Sequence, residues 1–191
     1  MKNQCGAALP GGRRASARCS DRKLFGIAAS AVGVLVFSFY LTAQAPDTRV
    51  ADAAAAGNRA LVRTLLQQKA DVNAPQGDGA TALHWAASNE DLETVKLLLA
   101  AGANVNAATR DNAITPLFMA CTSGNGDIVE ALLAAGASAN SVKSNGTTAL
   151  MIASASGSVG AVKALLDHGA EINAKESVHE QTALMFAAAL N

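Results

Sequence analysis

Aromatic residues are scarce in this chain, although hydrophobic residues are not. Aromatic residues make up 4% of the 191 residues, whereas hydrophobic residues of all kinds make up 50%. Aromatic rings usually supply much of the core of a thick globular domain. A core built mainly from Ala and Leu is instead suited to thin, closely stacked layers.

The chain also lacks an excess of either charge, but its two parts differ. Residues 1–45 hold 6 Lys/Arg and 1 Asp/Glu, a net charge of +5, whereas residues 46–191 hold 9 Lys/Arg and 14 Asp/Glu, a net charge of −5. Nucleic-acid binding needs a basic footprint. The acidic second part therefore argues against nucleic acid and is compatible with a protein partner that carries a cationic patch.

Cysteine is rare, and only Cys121 lies after residue 45. The second part of the chain therefore has no intrachain disulfide. Cys121 occupies an Ala position in a helical pattern and has no nearby cation in the sequence, so we expect a small buried hydrophobe rather than a reactive thiol.

Signatures of catalysis and of metal binding are missing as well. His84, His168 and His179 do not have metal-ligand spacing with a second His or Cys. The chain has no Gly-rich phosphate loop, no Ser nucleophile elbow and no paired-carboxylate signature. The sequence thus predicts a protein that is not an enzyme and that carries no cofactor and no metal.

What the chain does contain is a repeat. Asn73, Asn106, Asn140 and Asn173 recur at intervals of 33, 34 and 33 residues, each within a similar phrase such as Asp71-Val72-Asn73. Self-similarity at such a period indicates stacked supersecondary units. Stacks of this kind usually bind other molecules rather than transform them.

One unit shows how the period arises. Thr81 precedes apolar residues at 83, 86 and 87, which share one helical face, so Thr81 is expected to cap a short helix. A break at 88–91 leads to a second helix with apolar residues at helical spacing. Gly102 ends that helix because Gly adopts the left-handed conformation without a steric penalty.

These features resemble the ankyrin repeat. The resemblance is carried by Thr81-Ala82-Leu83-His84, where the family prefers Thr-Pro-Leu-His, by Ala101-Gly102-Ala103, and by matching phrases that open at 115, 148 and 182. It implies an all-α solenoid of antiparallel helix pairs with a hairpin-like finger at each junction. The units fall at about 47–77, 78–110, 111–144, 145–178 and an incomplete 179–191.

The resemblance also implies roles for two side chains. His84 stands in the family's Thr-x-x-His place, where the imidazole bonds the backbone of a neighbouring turn. Trp85 matches a core Leu of the family, so we expect core packing rather than a binding hot spot.

Residues 1–45 have a different character. Basic residues up to Lys23 precede an apolar segment at 24–41, and Ala43-Gln44-Ala45 follows. These are the three parts of a secretory signal, with Ala43 and Ala45 at the cleavage site. Because the apolar segment is near the minimum length of a membrane span, an uncleaved signal anchor is the alternative. Either outcome places the repeats outside the cytoplasm of a bacterial-type cell: periplasmic or secreted, or at the inner membrane.

By the same resemblance, partners bind the finger tips and the exposed end of the first helix. The matching positions are Asp78, Ser88, Asn89, Arg110, Asp111, Ile114, Thr122, Ser123, Lys143, Ser144, Thr147 and His179. The alternative interpretation is that these residues are only solvated turns.

Two of the fingers are one residue longer than the others. The interval from the repeated Asn to the following repeated Thr is 8 residues in the first and third fingers and 9 in the second and fourth. Insertions in repeat proteins map to loops on one face, often the binding face. Since Ile114 adds an apolar residue that we expect to be exposed, the finger at 108–114 is predicted to contribute more to binding than its neighbours.

The two ends of the array differ. Lys69 replaces the turn Gly in the first unit, and Asp52 and Arg59 give that unit the polar outer face of a terminal cap. At the other end, one helix precedes Asn191 and an apolar face would remain exposed. We therefore expect the chain to continue beyond residue 191.

The sequence favours an exported protein–protein interaction module whose partner it does not identify. The alternative is the regulatory part of a larger exported enzyme with its catalytic domain beyond residue 191. A third idea, self-protection against an exported toxin, is based on fold analogy alone.

Overall fold

The computed structural model describes residues 47–189; the predicted signal or anchor at 1–45, with its apolar segment 24–41 and its Ala43 and Ala45, lies outside the described residues. Within residues 47–189 the helices are α1 (Arg49–Ala55), α2 (Arg59–Gln67), α3 (Ala82–Ser88), α4 (Leu92–Ala100), α5 (Pro116–Ser123), α6 (Gly126–Ala134), α7 (Ala149–Ala155), α8 (Val159–Asp167) and α9 (Ala183–Ala188). The predicted all-α fold is confirmed. This part of the chain has no strand, and an isolated bridge joins Val142 to Thr148.

The helices pair within each unit and stack in two layers. The first helices α1, α3, α5, α7 and α9 contact one another in chain order, and the second helices α2, α4, α6 and α8 do the same. Small side chains such as Ala82, Ala87 and Ala120 are fully buried beside Leu83 and Leu98. The Ala and Leu content therefore lets neighbouring helices approach closely, as the composition predicts.

Each second helix has a polar residue before it and a left-handed residue after it. Asn58, Asp91, Asn125 and Ser158 accept hydrogen bonds from backbone N–H groups three residues on. The left-handed residues are Gly102, Gly136 and Gly169, with φ of 84°, 94° and 79°, and Lys69, with φ of 60°. The unit that lacks Gly keeps the same turn, at a steric cost of about 1–2 kcal/mol.

His84 joins the start of α3 to the next unit. Its Nδ1 accepts from the backbone N–H of Thr81 at 3.1 Å and lies 3.0 Å from the Thr81 hydroxyl, while its Nε2 donates to the carbonyl oxygen of Ile114 at 2.9 Å. The role that the resemblance implies for His84 is therefore confirmed. Burial lowers its pKa, so the ring stays neutral in the folded protein.

The repeated asparagine bridges consecutive units. Nδ2 of Asn106 donates to the carbonyl oxygen of Gly136 at 3.1 Å, and its Oδ1 accepts from the N–H of Ser138 at 3.1 Å. The equivalent bridges are Asn73 to Gly102 and Asn104, and Asn140 to Gly169 and Glu171. One amide thus satisfies a helix-end carbonyl and a turn N–H in the following unit, which explains its regular spacing.

The polar residues of the first unit contact Gln76 near the end of that unit and Asp91 in the second unit. Oδ1 of Asp52 accepts from Nε2 of Gln76 at 2.6 Å, and Nη2 of Arg59 lies 2.6 Å from Oδ1 of Asp91. Within residues 47–189 no helix is long and apolar enough to cross a bilayer.

Replacing Asn106 by Ala removes both bonds of one bridge, so the free energy of unfolding should fall by about 1–2 kcal/mol. Urea-induced unfolding of the full chain measures this. Asn173→Ala is the matched control, because the structure shows no such bridge from Asn173 within the described residues. Equal losses in the two variants would contradict the assigned role.

Replacing His84 by Met, the residue found at the same register in unit four, should lower stability by about 1–3 kcal/mol at neutral pH. The Ile114 carbonyl loses its donor, and the Thr81 N–H exchanges a ring nitrogen for a weaker sulfur acceptor, as Sδ of Met151 accepts from the N–H of Thr148 at 3.4 Å. The folded pKa of His84 is below its unfolded value of about 6.5. Its neutral form therefore stabilises the fold above that pH, and this contribution is lost as the pH falls through the folded pKa.

Unfolding of His84→Met should accordingly depend less on pH between about 7 and 5 than unfolding of the unmodified chain. His179→Gln, at an exposed position, is the control for the removal of a histidine. An unchanged slope in the Met variant would show that His84 is not the titrating group.

Candidate functional site

Four fingers project from the junctions of the units, and each is closed by a backbone hydrogen bond. We name them finger 1 (residues 76–80), finger 2 (109–114), finger 3 (143–147) and finger 4 (176–181). The closing N–H···O distances are 2.8 Å from Gln76 to Ala80, 2.9 Å from Thr109 to Ile114, 3.0 Å from Lys143 to Thr147 and 3.0 Å from Glu176 to Gln181. We call the fingers together with the exposed ends of α3, α5 and α7 the finger face.

The structure confirms the extra residue in alternate fingers. Fingers 1 and 3 close over five residues, and fingers 2 and 4 close over six. The last residue but one is left-handed in every finger: Gly79, Ala113, Gly146 and Glu180 have φ of 92°, 53°, 79° and 54°. Since the left-handed position is common to all four, the insertion lies earlier in the loop, at Asp111 and Val178.

Backbone bonds also join each finger to the next. The N–H of Arg110 donates to the carbonyl oxygen of Asp78 at 2.8 Å, and the same step links Ser144 to Asn112 and Ser177 to Asn145. A Cβ on Gly79 would lie 3.1 Å from the Arg110 nitrogen, so Gly permits this close approach. The fingers therefore form one ordered row rather than four independent loops.

The predicted residues of fingers 1 and 2 have unequal exposure. Asp78, Arg110 and Asp111 are exposed. Nη1 of Arg110 donates to the carbonyl oxygen of Gly77 at 3.0 Å, which ties the side chain back to finger 1. Ile114 was expected to be exposed, and this is wrong: it is half-buried against the core, with its carbonyl held by His84.

In finger 3 one of the residues predicted to bind a partner is buried. Ser144 is exposed, and Lys143 is half-buried with Nζ 5.5 Å from the centre of the Phe118 ring. Thr147 is only 5% exposed and is no longer a candidate for partner binding. Thr147 is the last residue of finger 3 and precedes Thr148, the residue before α7. Ala80, at the same position of finger 1, is also buried.

The ends of the first helices carry both exposed and structural residues. Ser88 and Thr122 are exposed, and Ser123 is half-buried with its hydroxyl donating to the Ala120 carbonyl at 3.1 Å. Nδ2 of Asn89 donates to the carbonyl oxygen of Ala54 at 2.9 Å. Asn89 therefore joins α3 to the preceding unit, a role that the repeat pattern did not reveal.

Finger 4 is organised around a carboxylate. Glu176 accepts from the N–H of Val178 at 2.7 Å and from the N–H of His179. These bonds lower the pKa of Glu176, and the bond from Val178 has the largest effect. His179 is exposed at the tip, as predicted.

Trp85, which was expected to pack in the core, packs against it but is only half-buried, so that part of its side chain remains exposed on α3. Its indole Nε1 donates to Oε1 of Gln76 in finger 1 at 2.7 Å. It lines a cavity of about 140 Å³ between fingers 1 and 2 and helices α3 and α5. Its neighbours on the cavity wall include Asp78, His84, Asp111, Ile114 and Met119. The repeat register alone did not show this cavity, because its walls come from two units.

The described part of the chain lacks a metal-binding cluster, and its cysteine is buried. Residues 47–189 contain no group of His, Cys, Asp and Glu that could hold a metal ion. Cys121 is fully buried, and burial raises the pKa of its thiol to about 12. The arrangement offers surfaces for recognition.

An apolar groove of about 390 Å³ lies between α8 and α9. Its walls include Leu150, Val159, Val162, Leu166, Ile172 and Leu184. Val159 and Leu184 are 81% and 79% exposed.

Comparison with known proteins agrees with this geometry. A family model described as ankyrin repeats (3 copies) matches residues 50–143 and 117–191. The mitochondrial disaggregase of Homo sapiens is 40% identical over 86 residues, which are 45% of this chain and 12% of that protein. Palmitoyltransferase akr1 of Schizosaccharomyces pombe is 50% identical over 56 residues, 29% of this chain and 9% of that protein.

Potassium channel AKT1 of Arabidopsis thaliana is 43% identical over 54 residues, 28% of this chain and 6% of that protein. The chain thus spans about a tenth or less of the length of these relatives, so their activities do not transfer with the likeness. The shared part is the repeat itself. The described residues contain the helix pairs, the fingers and the asparagine bridges, and the family model matches most of the sequence. The chain therefore belongs to the ankyrin repeat family.

Proposed function

We propose that this chain is a protein-binding module that holds its partner along the finger face, outside the cytoplasm. The observation that carries this proposal is the row of fingers, joined to one another by backbone bonds and presenting exposed, chemically varied side chains. A preorganised surface loses little conformational entropy when a partner binds. Ankyrin repeats are protein-interaction modules in general, which supports the same conclusion.

An alternative is supported by the relatives. Two of them are named as a palmitoyltransferase and a disaggregase, and the matched repeats are a small fraction of each. The repeats would then be the regulatory or substrate-binding part of a larger exported enzyme. In both cases the finger face makes the contact, so the first experiment is the same.

The experiment places a photoreactive amino acid at Ser88 or Thr122, both exposed on the finger face, and identifies cross-linked proteins in extracts of the source cells. Lys96 and Lys163, exposed on second helices, are the control positions. Cross-links should form from the finger face alone. Equal cross-linking from both faces, or none from either, would overturn the proposal.

Finger 2 should contribute more to the affinity than finger 3. Arg110→Ala with Asp111→Ala removes one charge of each sign at its tip and should weaken binding of the captured partner about tenfold or more, as expected when exposed anchors are lost. Titration calorimetry with the purified partner measures the effect. The double variant Lys143→Ala with Ser144→Ala in finger 3 should weaken binding of the partner less.

The matched control is Glu93→Ala with Lys96→Ala on α4, which also removes one charge of each sign but from the second-helix layer. This pair should leave the affinity unchanged. If it weakens binding as much as the finger 2 pair, the effect comes from the overall charge or stability and not from the finger.

Export is proposed from the pattern at 1–45 alone. When the chain is expressed in a bacterial host, cleavage after Ala45 should yield a protein that begins at Pro46, detected by intact-mass spectrometry of the periplasmic fraction. Full-length chain in the membrane fraction would favour the signal anchor instead. Full-length chain in the cytosol would contradict both forms of export.

A further inference from the structure

We infer that the cavity between fingers 1 and 2 is a subsite for a cationic side chain, arginine or lysine, of the protein partner. This inference rests on the proposed function, because it names the chemistry of the contact that the finger face makes. Four observations support it: a fixed aromatic ring, two carboxylates without ion pairs, apolar walls of limited volume, and the acidic character of the repeat part.

The aromatic ring is held in place before any partner arrives. Nε1 of Trp85 donates to Oε1 of Gln76 at 2.7 Å, and Nε2 of Gln76 donates to Oδ1 of Asp52 at 2.6 Å. The chain of bonds fixes the amide and thereby the indole that lines the cavity. Trp is the aromatic side chain that attracts cations most strongly, and Arg also stacks on its ring.

Two carboxylates line the same cavity. Within residues 47–189 neither Asp78 nor Asp111 takes part in an ion pair. Asp78 uses Oδ1 to accept from the N–H of Ala80 at 2.9 Å. A carboxylate beside an aromatic surface adds charge attraction to the cation–π interaction, and this attraction grows where water is partly excluded.

The neighbouring basic groups do not neutralise this charge. His84 lies on the cavity wall, but both of its ring nitrogens already make hydrogen bonds, Nδ1 with the N–H of Thr81 and Nε2 with the carbonyl oxygen of Ile114. Arg110 lies in sequence between two residues of the cavity wall, Thr109 and Asp111, but is not itself part of the wall. Its Nη1 is bound instead to the carbonyl oxygen of Gly77 at 3.0 Å.

The remaining walls fit a long side chain better than a bare ion. Ile114 and Met119 give an apolar surface along which the methylene stem of Arg or Lys packs while its charged head meets the carboxylates. The volume of about 140 Å³ is that of one side chain and not of a larger ligand. The net charge of −5 on residues 46–191 favours a basic partner over an acidic one.

The test uses the full chain and three small probes: N-acetyl-arginine methylamide, its lysine counterpart, and the citrulline compound as a neutral control of nearly the same shape. Trp85 is the single Trp of the chain, so fluorescence reports on this cavity alone. The NMR resonance of the indole N–H is the second readout. The arginine or lysine probe should cause a saturable change that citrulline does not cause at the same concentration.

The double variant Asp78→Asn with Asp111→Asn should bind the cationic probe about fivefold more weakly, a loss typical of partly exposed charge pairs. The change is isosteric, and Asn145 at the register of Asp78 in finger 3 makes the same bond, accepting from the N–H of Thr147 at 3.1 Å. Asp127→Asn with Glu130→Gln on α6 removes the same charge elsewhere and should leave probe binding unchanged.

Equal responses to arginine and citrulline, no saturation with either cation, or equal weakening in both double variants would overturn the inference. The relative affinity of the first two probes identifies arginine or lysine as the preferred head. If the finger face cross-links a partner but no cationic probe binds, the subsite is wrong and the proposed function stands. If a cationic probe binds but neither face cross-links a protein, the proposed function is wrong and the subsite remains.

Discussion

The amide side chain of the repeated asparagine is the interaction on which the rest of the structure depends. At Asn73, Asn106 and Asn140 it donates to the carbonyl oxygen of the left-handed Gly that follows the next unit's second helix, and it accepts from the backbone N–H two residues after that Gly. Both partners are backbone groups, so the bridge fixes the spacing between units whatever side chains lie nearby. Only an amide of this length supplies a donor and an acceptor together. This is why the period survives while most other positions vary.

A fixed spacing of units also places the fingers. Fingers 2, 3 and 4 each donate one backbone N–H to the finger before them, and this requires consecutive junctions to lie at a constant separation. Most bonds of this frame involve backbone groups, helix caps and left-handed turns, although Oδ1 of Asp78 also accepts from the N–H of Ala80 within finger 1. The side chains of Asp111 and Ser144 are exposed at the tips. The frame therefore provides the stability, and the exposed tip side chains are available for recognition.

The sequence predicted those features that depend on a single register. The period, the Thr before the first helix and the left-handed residue after the second follow from local steric and hydrogen-bonding rules. The bond from His84 to the carbonyl oxygen of Ile114 in the next unit was expected only from the resemblance to the ankyrin repeat. Predictions that depend on two units were less successful. Trp85 packs against the core as expected, but its bond to Gln76 of finger 1 and its place on a cavity wall were not predicted. Ile114 and Thr147 were expected at the surface, but the adjoining helix buries them partly or fully. Side-chain exposure there depends on the neighbouring unit, which a one-unit pattern does not contain.

The inserted residues show how a regular frame acquires specific chemistry. Because the left-handed position is kept, an added residue does not disturb the finger-to-finger bonds and adds one outward side chain to the tip. In finger 2 that residue is Asp111, on the wall of the Trp85 cavity; in finger 4 it is Val178, which is 66% exposed. The same backbone change thus produces an acidic position and an apolar position two units apart. A partner that meets both must offer a cation and an apolar group in that order, so the two insertions together constrain its orientation along the row of fingers.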